Sequence, residues 1–214
     1  MAACCDPGEY DVVFTSKYAR RTAKSLRESG LDDTAAKMVD FVTEQGLDGA
    51  TVLEIGGGVG GLHSELLRRG ASRATNVELS TAYESEAANL SDESGLTDRV
   101  NRLIVDVVTD PGAVPSADIV VLHRVVCCYP DFAALLGAAA DRARQMLVFS
   151  YPRRRLLTRA GTLGENLGYA IRRRDFRVFV HSPDAMLAVL ADHGHWPVSG
   201  GQNTWWQFTG TVSG

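Results

Sequence analysis

Residues 51–67 read TVLEIGGGVGGLHSELL, and the interpretation of this stretch decides the fold. Thr51 to Ile55 is a short β-branched and apolar run, the composition of a buried strand, and Leu62, Leu66 and Leu67 return at helical spacing after the glycines. The order is strand, tight turn, helix. Gly56, Gly57, Gly58, Gly60 and Gly61 strip the turn of nearly every Cβ. Such a backbone reaches positive φ freely and lets a ligand lie directly against it.

A glycine-rich turn from strand to helix also serves dinucleotide-binding folds, where it cradles a pyrophosphate at the helix N-terminus. Glu54 argues for a different ligand. A carboxylate at the end of the strand repels a pyrophosphate and attracts an amino group. A second acid, Glu78, closes a run from Ala74 to Val77 that reads as the next strand, about 20 residues beyond the glycines, where such folds place the acid that binds ribose hydroxyls. A third, Asp106, follows the strand expected over 99–105; a carboxylate there accepts from an exocyclic amine such as that of adenine.

Together, Glu54-x-Gly56-x-Gly58-x-Gly60 and the two later acids resemble motif I and the strand-end acids of the class I S-adenosylmethionine-dependent methyltransferases. The resemblance runs from about Tyr10 to the end of the chain. It implies a Rossmann-like, doubly wound α/β fold with a seven-stranded sheet, mostly parallel with an antiparallel C-terminal strand. It also implies S-adenosyl-L-methionine as cofactor, held by Glu54, Gly56, Gly57, Gly58, Gly60, Glu78, Leu79, Asp106, Val107 and His123. The turns Cys128-Tyr129-Pro130 and Ser150-Tyr151-Pro152, an arginine-rich helical insertion and Phe179-Val180-His181 are similar to the magnesium-protoporphyrin O-methyltransferase branch. That branch has a histidine where this chain has Cys128, so the acid/base role of that position does not carry over unchanged; Cys128 and Tyr10 stand as catalytic candidates beside His123 and His181.

The remaining elements fit the same order. Between Tyr10 and Gln45 two helices are expected, broken at Ser29-Gly30, with Asp32 or Asp33 capping the second. In the family such a segment, here 10–45, lies over cofactor and substrate, which makes Tyr10, Phe14 and Tyr18 candidate lid residues; ordinary helix anchoring is the alternative. Ser80 to Gly95 reads as a capped helix, and ADIVVL ending at Leu122 as a fourth strand running into His123, Arg124, Cys127, Cys128 and Tyr129. Pro130-Asp131 starts a helix, residues 146–150 form a fifth strand, and 156–171 is helical in part, weakened by Gly161, Gly164 and Gly168. Residues 176–181 are a short strand or extended connector, Ser182-Pro183-Asp184 opens a helix, and the Trp205-Trp206-Gln207-Phe208 segment is the last strand.

With 214 residues and 45% hydrophobic composition, one α/β domain over residues 1–214 is expected. The formal net charge of −4 offers no general attraction to nucleic acid, and the runs Arg153–Arg155 and Arg172–Arg174 read as solvated basic patches. No stretch approaches the roughly 20 apolar residues of a membrane span, and MAACCDPGEYD lacks signal-peptide design, so a cytoplasmic location is expected. The adjacent pairs Cys4-Cys5 and Cys127-Cys128 do not follow zinc-site spacing, and no metal site is assigned. They stand either as small buried or tail residues or as a soft-metalloid site for a thiophilic methyl acceptor.

Ligands of open parallel sheets bind beyond the carboxyl ends of the strands. The expected acceptor is a small molecule near Tyr10, His123, Cys128, Tyr151 and His181, with Arg153 favouring an anionic group. His123 is the first candidate base, with a cofactor contact as its alternative; His181 is the second, with capping of the following helix as its alternative. A non-catalytic cofactor-binding module on the same fold is the remaining reading.

Overall fold

The computed structural model describes residues 7–214, with side chains from residue 10; Cys4 and Cys5 lie outside the described residues. Seven strands form one sheet in the order β3-β2-β1-β4-β5-β7-β6. The strands are β1 (Thr51–Ile55), β2 (Arg73–Glu78), β3 (Val100–Ile104), β4 (Ala117–Leu122), β5 (Ala143–Pro152), β6 (His195–Gln202) and β7 (Trp206–Ser213). Pairings from β3 through β5 are all parallel, and β7 runs antiparallel to both β5 and β6. The expected sheet, with its single reversed C-terminal strand, is therefore present. The switch of strand order falls between β1 and β4, and it opens the crevice in which ligands of such sheets bind.

Helices cover both faces. They are α1 (Pro7–Val13), α2 (Ser16–Ser29), α3 (Asp33–Gly46), α4 (Gly61–Arg68), α5 (Glu84–Glu93), α6 (Phe132–Ala140), α7 (Leu156–Ile171) and α8 (Pro183–Asp192). Because successive strand side chains point to opposite faces, each central strand feeds two cores. Leu53, Ile55, Val120, Leu122, Leu147 and Phe149 pack with Leu135 and Leu136 of α6 and Met186 and Leu190 of α8. Val52, Ile119, Val121 and Val148 pack with Met38, Val39 and Val42 of α3 and Leu62 and Leu66 of α4. Each such aliphatic side chain removed from water stabilises the fold by roughly 1.5–3 kcal/mol. Double-sided burial explains why these strands read as continuous apolar runs.

Two local readings are corrected and one alternative is resolved. The segment before β1 holds three helices, because Thr15 turns extended and caps α2 by accepting from the Tyr18 N–H. Pro130 sits before the N-cap of α6; Asp131 is the cap, accepting from the Ala134 N–H at 2.9 Å. Of the two readings of residues 176–181, the structure shows the extended connector. The edge strand β6, with Pro197 and a register shift between Pro197 and Ser199, is exposed along most of its length. Pro and bulges suit an edge, where ladder bonds are not required on one side.

α7 is continuous over all 16 residues despite its three glycines, and Thr158 is its one buried residue. No helix among the described residues is long and apolar enough to cross a membrane.

Candidate functional site

A cleft of about 750 Å³ lies at the carboxyl edge of the sheet. Its floor is the glycine turn with the ends of β1, β2 and β4, and its roof is built by α1, α2 and α7.

The glycine turn is shaped from beneath as well as above. Gly56 takes φ +68°, and a Cβ there would come within 2.5 Å of Val125 Cγ2. At Gly57 a Cβ would run into Asn76 Oδ1 and the Glu54 carboxyl carbon. Both positions therefore require glycine for space. Gly60, expected to face the ligand, does not line the cleft; at φ +86° its bare Cα packs over the His63 ring and starts α4.

Glu54 is buried at 3% exposure and is not a free carboxylate. Its Oε2 accepts from the His63 N–H at 3.0 Å and lies 2.7 Å from His63 Nδ1. The acid lines the cleft, but it also ties the first turn of α4 to the end of β1. His63 was not singled out from the sequence. Its spacing of nine residues from Glu54, on the inner face of α4 beside Leu62 and Leu66, was the available signal.

Glu78 holds the turn from the other side. Its Oε2 accepts from the Gly58 N–H at 2.9 Å, and Oε1 accepts from the N–H groups of Leu79 at 2.8 Å and Ser80 at 3.1 Å. Burial pushes its pKa up, opposed by these three N–H donors, with Glu54 adding repulsion. Asp106 accepts from the Val108 N–H at 2.9 Å and from the Tyr129 hydroxyl at 3.0 Å. Leu79 and Val107, the neighbours of these two acids, also line the cleft.

At the end of β4, His123 has both ring nitrogens engaged. Nε2 is 3.0 Å from Asp32 Oδ2 and Nδ1 is 3.0 Å from Ser150 Oγ. A carboxylate only accepts, so Nε2 carries the hydrogen; in the neutral ring the Ser150 hydroxyl then donates to Nδ1. The set has the connectivity of a Ser-His-Asp triad, yet Ser150 is fully buried and its Oγ also accepts from the Arg124 N–H, so it is no nucleophile.

Asp32 is the residue the sequence undervalued. It caps α3 through Oδ1, which accepts from the N–H groups of Thr34 and Ala35 at 3.0 and 3.1 Å, while Oδ2 reaches His123 and lies 3.3 Å from Arg124 Nη2. Burial acts to raise its pKa, but the His123 bond and charge, Arg124 and the Ala35 N–H outweigh it and hold the carboxyl well below the usual range. Arg124 itself takes φ +59°, rare for a side-chain-bearing residue, and its guanidinium lies 4.8 Å from the centre of the Trp206 ring.

The cysteines of the following turn converge. Their sulfurs are 3.6 Å apart and both lie near the Arg124 carbonyl, at 3.4 Å for Cys127 and 3.7 Å for Cys128. The Cys127 contact, burial and nearby acids push the Cys128 thiol up, so it is held as a thiol at neutral pH. Both are free cysteines, and among the described residues no group of three or more His, Cys, Asp or Glu is placed to hold a metal ion.

The roof is aromatic. Tyr10, Phe14 and Tyr18 all line the cleft, and the Tyr10 hydroxyl donates to the Cys128 carbonyl at 2.9 Å. Phe176 meets Tyr10, Phe14 and Tyr169 edge-on with ring centres 5.8, 5.6 and 5.2 Å apart.

Three residues expected near the acceptor are placed elsewhere. His181 stands outside the cleft, stacked on Phe179, with Nε2 donating to the Val126 carbonyl at 3.1 Å. Burial lowers its pKa against the pull of backbone carbonyls, so the ring is neutral. The Tyr151 hydroxyl bonds Thr209, and Arg153 binds the Asn203 carbonyl. The arginines that do line the cleft are Arg21 and Arg124.

No protein-family model matches the sequence, and no curated protein matches it. Solved structures do match the fold. The magnesium protoporphyrin IX methyltransferase of Synechocystis PCC 6803 with bound SAH superposes with a TM-score of 0.70 at 17% identity, covering 97% of this chain and 94% of that one. An O-methyltransferase family protein from Burkholderia thailandensis gives 0.72 at 16% identity, with 94% and 61% covered. A structure described as a [4+2]-cyclase gives 0.62 at 13% identity, with 83% and 80% covered. The chain has the fold of the S-adenosylmethionine-dependent methyltransferases.

Proposed function

We propose that the protein is an S-adenosyl-L-methionine-dependent methyltransferase acting on a small-molecule acceptor. The observation that carries this reading is the pairing of a side-chain-free glycine turn with Glu78 and Asp106 at the ends of two neighbouring strands, all facing one cleft. The donor and acceptor chemistry fits the cofactor. Glu78 accepts three backbone N–H bonds and keeps lone-pair capacity for ribose hydroxyls, while Asp106 keeps capacity for the adenine amine. The turn, with Gly56–Gly58 facing the cleft, receives the methionine part. When bound, the cofactor supplies an electrophilic methyl group on a sulfonium. The protein's share is alignment and exclusion of water, which the aromatic roof provides.

The acceptor site is the roof side of the cleft, between Tyr10, Phe176 and Tyr169 on one wall and Arg124 and Cys128 on the other. Such walls select a flat or apolar body, with Arg124 and Arg21 placed to meet an anionic group. In this arrangement His123 is a positioning residue. Its bonds to Asp32 and Ser150 hold the Arg124 turn, and proton removal by its Nδ1 requires the Ser150 hydroxyl to turn away. A carboxylate acceptor needs no such base.

The test is calorimetric titration with S-adenosylmethionine and with NAD, followed by mass spectrometry of small-molecule pools incubated with labelled cofactor. Tighter binding of NAD would reverse the assignment. Because a [4+2]-cyclase shares the fold, cofactor binding without methyl transfer to any acceptor would identify a non-methylating module.

A further inference from the structure

α7 is built inside out. Leu156, Leu163, Leu167 and Ile171 recur at intervals of seven, four and four, the spacing of one helical face, and they are 84, 72, 60 and 74% exposed. Leu157, beside them, is 73% exposed. The opposite face is polar and turned inward: Thr158 is buried, Glu165 and Tyr169 line the cleft, and Asn166 is locked to the 172–182 connector. That lock is a pair of bonds, Asn166 Nδ2 donating to the Val178 carbonyl and Oδ1 accepting from the Val178 N–H, both at 2.8 Å. Those bonds hold the polar side of the helix against the connector, with the leucines outward.

The charge around this apolar stripe is one-sided. Between Arg153 and Arg177 the sequence carries eight arginines against two acids, Glu165 and Asp175, in a chain whose net charge is −4. The arginines sit at the two ends, Arg153–Arg155 with Arg159 at one and Arg172–Arg174 with Arg177 at the other. At the first end the Arg153 N–H donates to the Trp205 carbonyl, which sets Trp205, 53% exposed, beside the start of the helix. An aliphatic stripe about 24 Å long, at 1.5 Å per residue, is thus rimmed by cations and adjoined by an indole.

We infer that α7 docks the protein on an anionic lipid surface, lying in the interface with its leucines among the acyl chains and its terminal arginines among the headgroups. The charge pattern decides this occupant. A second copy would bring two arginine rims together, and like charges across an interface repel. A protein partner is recognised chiefly through aromatic anchors in pockets, whereas this face is flat and aliphatic. Leucine-rich faces with flanking arginines and a nearby Trp are the pattern of interfacial helices. The inference does not depend on methyl transfer, since it rests on the outer face of α7 alone.

The experiment is co-sedimentation of the full-length protein with vesicles of phosphatidylcholine and with vesicles of equimolar phosphatidylcholine and phosphatidylglycerol. The expected result is binding to the second and not the first, weakened by salt. Leu163→Glu with Leu167→Glu should abolish it. Arg154→Glu with Arg173→Glu should lower the partition coefficient by at least about tenfold, because each arginine near such a surface contributes on the order of 1 kcal/mol. All four residues are exposed, so circular dichroism melts of both double variants should match the wild type. Failure to bind anionic vesicles, equal binding to both compositions, or binding that survives the leucine substitutions overturns the inference. So does sedimentation showing a dimer that the leucine substitutions dissociate without vesicle binding, which would assign the face to a second copy.

Discussion

Replacing Glu78 by Ala separates its backbone contacts from its proposed part in cofactor binding. It accepts three backbone N–H bonds, from Gly58, Leu79 and Ser80. Hydrogen bonds to a charged group contribute about 1.5–3 kcal/mol each before the cost of burying the charge is set against them. Here burial wins, since the pKa is raised. Stability from this group is therefore greatest below the ordinary glutamate range and declines as pH rises through the higher folded value. The cleft admits water to the freed N–H groups, and the variant should lose only about 1–2 kcal/mol of stability. Affinity should behave differently, because on the proposed reading ribose hydroxyls lose a charged acceptor and the Gly58 N–H loses its anchor. S-adenosylmethionine should bind about 5- to 150-fold more weakly, corresponding to 1–3 kcal/mol. Glu78→Gln should fall between, one amide oxygen replacing two carboxylate oxygens. Calorimetric titration gives the affinity and a thermal melt gives the stability. A Glu78→Ala protein that melts normally and binds the cofactor as tightly as wild type would refute the assignment.

Other consequences are open to direct measurement. Asp32→Asn should flatten the acid limb of the stability curve, because a carboxyl with a depressed folded pKa stabilises above its ordinary range and loses that contribution as pH falls; urea melts at several pH values would show it. The same change should lower turnover more than cofactor affinity if the Asp32–His123–Arg124 set shapes the acceptor side, and equal losses in both would place the set on the cofactor side instead. Gly57→Ala drives a Cβ into Asn76 and Glu54, and titration should show at least about a tenfold loss of cofactor affinity. His181→Phe should keep the stacking on Phe179 but lose the bond to Val126, costing about 1 kcal/mol in denaturant while cofactor affinity stays unchanged.

What was legible in the sequence was whatever is local. The strand, glycine turn and helix of 51–67, the acids closing β2 and β3, and the Asp32 and Ser182 helix starts each announce themselves within a few residues, because caps, turns and periodicity act at that range. The parts that were not legible depend on pairings between distant segments. Asp32 meets His123 across 91 residues and His123 meets Ser150 across 27, and neither spacing carries a periodic signal. The placement of His181 outside the cleft follows from the path of the 172–182 connector, which local pattern does not determine. α7 differs for another reason: its three glycines argue locally against a continuous helix, and only the tertiary structure shows a full-length helix with its leucines outward.

The roof has a kinetic meaning. Its two halves come from opposite parts of the chain and are joined by ring contacts around Phe176, by the Tyr10 hydroxyl on Cys128, and by Arg174 donating to the Val12 carbonyl. The glycine turn lies beneath α2, deeper than the aromatic wall. If the proposed methyl transfer takes place in this chamber, the cofactor enters before the acceptor, and the methylated product leaves before the spent cofactor. On that reading, parting the rings sets the pace of each cycle, and steady-state rates should follow solvent viscosity rather than the nucleophilicity of the acceptor.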